Sequence, residues 1–226
     1  MTDANPYAPG RAQFMGIELL IAPGALIPRE ETELLGRTAL GLVNEMTSTP
    51  EVRVIDMCCG SGNLACGLAV HELRTRVWAA DLTDGAVGVA RANVEKLGVG
   101  DRVTVRQGDL FASLSGLGLE GTIDVIVCNP PYISSGKLEK DRAELLSHEP
   151  REAFDGGPYG VSIFQKVVRD SPRFLKPGGR LLFEIGLGQE RQVAAIVSRA
   201  NAYEPVELVN NAAGEPRVVV CRTRTA

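Results

Sequence analysis

Five apolar, β-rich runs recur along the chain, and most of them are continuous rather than alternating with polar residues. Continuous apolar runs are typical of strands that are covered on both faces of a sheet. Segments with helical spacing lie between the runs, and this alternation predicts a doubly wound, mostly parallel α/β sheet. The five runs are VRVIDM (52–57), RVWAAD (76–81), RVTVRQ (102–107), IDVIVCN (123–129) and GRLLFEIG (179–186).

Apolar stripes at helical spacing predict the helices that cover this sheet. One stripe follows the second run and another precedes the fifth run. The first stripe contains Ala86, Ala90, Val94 and Leu97, and the second contains Phe164, Val167, Val168, Phe174 and Leu175.

Both ends of the chain add elements to this core. Near the C-terminus, the runs 205–210 and 217–222 are separated by too few residues for a crossover helix, which predicts an antiparallel hairpin and seven strands in total. Near the N-terminus, QFMGIELLIAPGALIPREETELL (13–35) predicts a β ribbon, a turn and an amphipathic helix. We expect one domain over 1–226: a flexible terminus at 1–12, the ribbon and helix at 13–46, and the core at 47–226.

Composition narrows the class of protein. The 226 residues are 44% hydrophobic and 23% charged, as in ordinary soluble proteins, and the formal net charge is −4. No run of lysines and arginines is dense enough to bind along the phosphate backbone of a nucleic acid, so stable nucleic-acid binding is not expected. The sequence shows neither a secretory signal nor about 18 uninterrupted apolar residues, so we expect a cytoplasmic location and no membrane association.

The five cysteines do not indicate a metal or redox site. Their number is odd and they form no C-x-x-C pair, which zinc and disulfide chemistry commonly use. Buried thiols in a reducing compartment are the simpler interpretation, and no metal is expected.

A glycine turn joins the first run to a helical segment. In VIDMCCGSGNLACGLAV (54–70), the turn Gly60-Ser61-Gly62 would let a ligand approach the backbone at the start of a helix. An ordinary tight turn is an equal alternative for this motif on its own, because the full G-x-G-x-x-G pattern is not present.

Three aspartates stand at the ends of successive predicted strands, at Asp56, Asp81 and Asp109. Each could instead cap a helix or lie in solvent. Because the carboxyl ends of parallel strands meet in one crevice, the three together with the glycine turn predict a nucleoside site, with Asp81 placed to bind ribose hydroxyls.

The fourth run ends in NPPY, residues 129–132. The Asn129 side chain and the Pro130 carbonyl supply two acceptors that could hold the hydrogens of a planar NH₂ group, while Tyr132 stacks on the attached π system. Two such acceptors would aim the nitrogen lone pair and stabilise the positive charge that develops during attack. This pattern predicts alkylation of nitrogen, although a plain Pro-Pro turn remains open.

Six motifs follow one another along about residues 13–222. They are LIPREETELL (26–35), VIDMCCGSGN (54–63), NPPYI (129–133), HEPREAFDGGPYG (148–160), LKPGGRLLFEIG (175–186) and NNAAGEPRVVV (210–220). Together they resemble the catalytic domain of the HemK-type protein-(glutamine-N5) methyltransferases, which modify the Gly-Gly-Gln motif of peptide release factors. The Ile-Pro-Arg and Glu-Pro-Arg segments are the most specific parts of this resemblance, since NPPY also occurs in adenine methyltransferases.

The resemblance implies a Rossmann-like class I methyltransferase fold and S-adenosylmethionine as the methyl donor. It implies a catalytic role for Asn129, Pro130 and Tyr132, and a substrate-binding role for Arg29, Pro131, Glu149 and Arg151. For Arg151, a carboxylate pair that fixes the loop is an alternative. The cofactor-binding residues implied are Asp56, Gly60, Ser61, Gly62, Asp81, Leu82, Asp109, Leu110 and Asn129. No catalytic histidine is implied, and His71 and His148 are expected to be structural or solvated.

The substrate is less well defined than the chemistry. Bacterial members of the family carry an N-terminal helical docking domain, which we do not expect here, and other members act with a small activating subunit. We therefore predict a protein substrate such as a release factor, and a small activating subunit as a potential partner. Methylation of adenine or of a small amine, and a non-catalytic cofactor-binding subunit, are the alternatives. The polar segment 134–159 is predicted to be a lid.

Overall fold

The apolar runs form one seven-stranded sheet in the computed structural model, which describes residues 10–141 and 149–225. The strand order is β5-β4-β3-β6-β7-β9-β8, in which β9 pairs antiparallel with both neighbours and the other pairs are parallel. The predicted mostly parallel sheet with a C-terminal hairpin is confirmed. The sheet strands are β3 (Val52–Met57), β4 (Thr75–Asp81), β5 (Val103–Gln107), β6 (Ile123–Cys128), β7 (Leu175–Glu184), β8 (Glu207–Asn210) and β9 (Pro216–Arg222).

Alternate residues of the central strands face two different apolar layers. Val54 and Val125 belong to one buried cluster, whereas their neighbours Ile55 and Ile126 belong to the other. The first layer contains α1 (Thr32–Glu45), α2 (Asn63–His71) and α3 (Asp84–Lys96), and the second contains α5 (Ser162–Asp170) and α6 (Glu190–Ala200). Helices therefore cover both faces, as predicted, and α4 (Ser135–Asp141) lies after β6.

The ribbon begins earlier than the sequence predicts. Strands β1 (Gly10–Phe14) and β2 (Ile17–Ile21) pair antiparallel, so residues 10–12 belong to a strand rather than to a flexible terminus. Two contacts hold this end of the ribbon. Ala12 pairs with Leu19, and Arg11 forms an ion pair of 2.7 Å with Glu18. The rest of the predicted terminus, residues 1–9, lies outside the described residues.

The second predicted stripe is wrong at its C-terminal end. Helix α5 ends at Asp170, and a 3₁₀ turn (Ser171–Arg173) follows it. Pro172 lacks an N–H and cannot continue the helical bonding, so Phe174 follows the turn and Leu175 already begins β7.

The sheet has a topological switch point between β3 and β6. The chain proceeds from β3 outward to β4 and β5, and then returns to the other side of β3 as β6. In open α/β sheets, ligands bind in the crevice at the carboxyl ends of the strands at such a point. In the described residues, no helix has both the length and the apolar character needed to cross a membrane.

Candidate active site

A cavity of about 460 Å³ opens at the switch point. Its walls come from the carboxyl ends of the parallel strands, from the segment before α1 and from the segment around residue 150. The predicted site residues that line it are Arg29, Gly60, Ser61, Asp81, Leu82, Asp109, Leu110, Asn129, Pro131 and Arg151. The structure therefore brings ten of the predicted residues to one cavity.

The glycine turn forms one wall of this cavity. Gly60 and Gly62 have φ of 54° and 76°, in the left-handed region that favours glycine. A Cβ on Gly62 would also lie 3.2 Å from the Cβ of Ala90, so helices α2 and α3 approach closely at this point. Gly62 itself does not line the cavity; it shapes the turn that places Gly60 and Ser61 there.

Asp56 lies beneath the cavity rather than on its surface. Its side chain is fully buried, and Oδ2 accepts a hydrogen bond of 2.9 Å from the Ala65 N–H in the first turn of α2. Burial raises the pKa of Asp56 to about 8; the Ala65 bond opposes this rise and the nearby Asp81 adds to it. The prediction that Asp56 lines the site is thus corrected: Asp56 lies below the cavity and supports the start of α2.

Asp81 and Asp109 differ in how the structure holds them. The Asp81 carboxylate accepts a hydrogen bond of 2.9 Å from the Gly60 N–H, which ties the end of β4 to the glycine turn. The Asp109 side chain is 65% exposed and makes no capping bond to the 3₁₀ helix that follows it. Leu82, which is half-exposed, and Leu110 follow these two aspartates in the chain and add apolar surface to the cavity lining.

Asn129 lines the cavity, and one end of its amide is tied to α1. Its Nδ2 donates to the Thr32 hydroxyl at 3.1 Å, and within the described residues Oδ1 has no hydrogen-bond partner. Pro131 lines the cavity beside it, whereas Pro130 is buried and does not.

Tyr132 departs from its predicted stacking position. The ring packs against Gly186, and the hydroxyl donates to Glu184 Oε1 at 3.0 Å, so the side chain lies outside the cavity lining. Burial and the nearby Glu184 carboxylate raise the pKa of Tyr132, which keeps the hydroxyl protonated as a donor. In this conformation Tyr132 supports the strand ends and does not line the cavity.

The Ile-Pro-Arg and Glu-Pro-Arg segments meet at one side of the cavity, which Pro28, Arg29, Pro150 and Arg151 line and which we call its mouth. Glu149 is buried and accepts from the Ile27 N–H at 2.9 Å and from Arg29 Nη2 at 2.6 Å. Arg151 instead pairs with Asp155 at 2.8 Å and with Glu139 at 3.2 Å, which is the loop-fixing alternative considered for it. Of the two arginines, Arg29 is thus held by a buried partner and Arg151 by exposed or half-buried ones.

Sequence reasoning missed three residues that are linked to Asn129 by hydrogen bonds, of which Thr32 also lines the cavity. Thr32 begins α1, Glu184 ends β7, and Arg217 lies in β9. Glu184 accepts from the Thr32 hydroxyl at 2.7 Å and from Arg217 at 3.1 Å. Burial raises the pKa of Glu184, and the hydrogen bonds from Thr32 and Tyr132 oppose that rise. Glu184 stands at a strand end, like the three aspartates, and this position was the signal that could have found it.

Four of the five cysteines are buried, Cys58 is half-buried, and all five are free. Burial raises the pKa of Cys66 to about 12 and the pKa of Cys59 and Cys128 as well, so these thiols are poor nucleophiles. They behave as small core residues, in agreement with the sequence interpretation.

The cavity and the groups that line it suit a methyltransferase, and residues 36–160 match the model of the methyltransferase small domain family, which shows this class. The chain is similar to the release factor glutamine methyltransferase of Moorella thermoacetica, with 36% identity over 96% of this chain and 74% of that protein. The chain therefore belongs to the family of release factor glutamine methyltransferases.

Solved structures share the fold. A methyltransferase from Pyrococcus furiosus superposes with a TM-score of 0.62 and 15% identity, over 92% of this chain and 90% of that one. A protein-(glutamine-N5) methyltransferase from Alicyclobacillus acidocaldarius superposes with a TM-score of 0.51 and 23% identity, over 88% of this chain and 94% of that one. Both likenesses confirm the Rossmann-like methyltransferase architecture.

Proposed function

We propose that this chain transfers the methyl group of S-adenosylmethionine to the side-chain amide nitrogen of a glutamine in a peptide release factor. The observation that carries the proposal is Asn129, which lines one cavity with the glycine turn and Asp81 and whose amide oxygen has no hydrogen-bond partner among the described residues. Since release factors act at the ribosome, we place this activity in the cytoplasm.

The residues around the glycine turn fit the amino-acid end of this cofactor. Ser61 lines the cavity, and its Oγ is buried and has no hydrogen-bond partner among the described residues. Buried polar groups without partners are uncommon in native proteins, and a polar ligand or its water would satisfy them. Ser61 with the start of α2 would bind the methionine part, Asp81 the ribose, and Leu82, Asp109 and Leu110 the adenine.

Asn129 would hold the target: its Oδ1 would accept one hydrogen of the glutamine NH₂, which turns the nitrogen lone pair toward the methyl carbon. The second acceptor, the Pro130 carbonyl, stays a prediction, because Pro130 does not line the cavity in this conformation. The cofactor, held at the glycine turn and Asp81, would supply an electrophilic methyl group with a neutral thioether as the leaving group. Asn129 Oδ1 would hold the nitrogen lone pair in line with that carbon, and the alkylated nitrogen would then lose a proton to water.

No histidine is needed for this proton. The amide becomes acidic only once it has been alkylated, so a strong base before attack is not required. His71 bonds the Met15 carbonyl at 2.7 Å on the outside of α2, which is a structural role, and His148 lies outside the described residues.

Arg29 and Arg151 at the mouth would contact the protein that carries the glutamine. The buried Glu149 holds Arg29 in place, and Arg151 is partly exposed beside it. A small activating subunit stays a prediction, as does the lid role of residues 134–159, of which the structure describes α4 and a 3₁₀ turn at Arg151–Ala153.

The test pairs Asn129→Ala with Asn44→Ala, an exposed asparagine of α1. Each protein is incubated with methyl-labelled S-adenosylmethionine and a release factor, with and without cell extract, and the Gly-Gly-Gln peptide is analysed by mass spectrometry. We expect wild type and Asn44→Ala to methylate the glutamine, and Asn129→Ala to lose about 100- to 1000-fold in kcat while still binding the cofactor by calorimetry.

If the labelled methyl group were found on adenine or on a small amine, the same mechanism would act on another NH₂ group. That result would contradict the proposal of a protein substrate. Cofactor binding without label on any acceptor, with or without extract, would favour the non-catalytic alternative. The acidic net charge of −4 argues against the nucleic-acid acceptor.

A further inference from the structure

A buried chain of hydrogen bonds leads from Asn129 into the protein interior. Asn129 Nδ2 donates to Thr32 Oγ1 at 3.1 Å, and Thr32 Oγ1 donates to Glu184 Oε2 at 2.7 Å. The other carboxylate oxygen of Glu184 receives Tyr132 at 3.0 Å and Arg217 at 3.1 Å. Thr32 and Glu184 are each only 1% exposed.

The direction of these bonds follows from the number of protons available. Arg217 pairs with Glu184, and a carboxylate in such a pair only accepts hydrogen bonds. The single Thr32 proton is therefore used toward Glu184, which leaves the Thr32 oxygen as an acceptor. Only the NH₂ end of the Asn129 amide can satisfy that acceptor.

This constraint decides which end of Asn129 faces the cavity. With NH₂ directed at Thr32, the amide oxygen points toward the target. If the amide were reversed, its NH₂ would face the NH₂ of the target, and two donors would oppose each other. An asparagine amide held only by solvent could adopt both orientations, because the two ends are nearly equal in shape.

We infer that Thr32 is a positioning residue: polarised by Glu184, it fixes the Asn129 amide with its oxygen toward the methyl acceptor. The consequence for catalysis rests on the proposed methylation of an amide NH₂. The inference also explains why α1, which precedes the core strands in the chain, contributes its first residue to the reaction centre.

The kinetic test compares three variants on helix α1. Thr32→Val has nearly the same shape but no hydroxyl, Thr32→Ser keeps the hydroxyl, and Thr38→Val removes a hydroxyl that only donates to the Leu34 carbonyl at 2.7 Å. We expect Thr32→Val to lower kcat about 10- to 100-fold because the amide is no longer aimed, with the cofactor Kd within about twofold of wild type. Thr32→Ser should restore most of kcat, and Thr38→Val should match wild type.

A double-mutant cycle separates positioning from general stability. If Thr32 acts through Asn129, Thr32→Val should cost less than about twofold further in the Asn129→Ala background. An undiminished further loss in that background, or a loss in Thr38→Val equal to that in Thr32→Val, would overturn the inference.

A spectroscopic test needs no methyl acceptor. The side-chain NH₂ signals of Asn129 are followed by ¹⁵N NMR in wild type, Thr32→Val and Thr38→Val. We expect slowed hydrogen exchange of one amide proton in wild type and Thr38→Val, and its loss in Thr32→Val. Unchanged exchange in Thr32→Val would refute the positioning role. Absence of glutamine methylation by wild type would instead refute the proposed function and leave this result to be judged separately.

Discussion

Asp56 is a carboxyl group whose surroundings favour its neutral form. Burial raises its pKa to about 8, whereas an aspartate in the unfolded chain has a pKa of about 3.9. Between these values the folded protein holds one proton more than the unfolded chain. Stability must therefore fall as the pH rises through this window, by up to about 1.4 kcal/mol per pH unit from this group alone.

Asp56→Asn should remove that dependence. We expect the free energy of unfolding of wild type, measured in urea without cofactor, to fall from pH 5 to pH 7 more steeply than that of Asp56→Asn, by about 1 kcal/mol per pH unit. The exposed Asp101→Asn serves as the control and should keep the wild-type slope. Equal slopes for wild type and Asp56→Asn would show that Asp56 is ionised in the folded protein.

Single residues show where sequence reasoning ends. Asn129 and Asp81 could be found because their types and strand-end positions suit the chemistry. Thr32 could not, since its partners are distant in sequence and only the packing of α1 against the ends of β6 and β7 joins them. Asp56 and Tyr132 were predicted to contact the ligand because a motif shows which residues stand at a strand end. It does not show in which direction their side chains point.

At the level of elements, the start of α2 depends on glycine for two reasons. Gly62 has φ of 76°, and its missing Cβ lets α3 approach to where Ala90 lies. Gly88 in α3 has an open environment and ordinary helical geometry, so it provides a contrast within the same pair of helices.

Opposite effects on stability are expected for two glycine-to-alanine changes. Gly62→Ala should lower the free energy of unfolding by about 2 kcal/mol, from the left-handed conformation and the crowding against Ala90. Gly88→Ala should raise it by about 0.5–1 kcal/mol, since alanine is the better helix former. Urea unfolding measures both, and the account of this turn would fail if Gly62→Ala were as stable as wild type.

Most elements were predictable because each carries its own periodicity, and the five core runs became parallel strands within a few residues. The position of β9 between β7 and β8 was not predictable from the hairpin alone, because either strand of a hairpin can join a sheet edge. The end of α5 was misplaced because an apolar stripe can continue through a 3₁₀ turn into the next strand.

Across the whole molecule, the cavity joins segments that are far apart in the chain. Its lining runs from Gly24, before α1, to Ile163 in α5. Glu149 connects two of these walls: it accepts from the Ile27 N–H and from Arg29, both on the segment that leads into α1. This contact holds the mouth of the cavity in its observed shape.

Glu149→Gln should therefore loosen the mouth without touching the chemistry at Asn129. The Glu149 side chain is 2% exposed, and losing its charge weakens the two hydrogen bonds that this buried carboxylate accepts, so we expect a loss of about 1–3 kcal/mol in the free energy of unfolding. We also expect the KM for the protein substrate to rise more than kcat falls, because Arg29 is no longer held in place.

Glu139→Gln is the matched control, since Glu139 pairs with Arg151 at the surface with 63% of its side chain exposed. Such exposed pairs contribute little, so the control should stay within about 0.5 kcal/mol of wild type. Urea unfolding and substrate titration measure both variants, and equal effects of the two changes would mean that the buried contact does not hold the mouth.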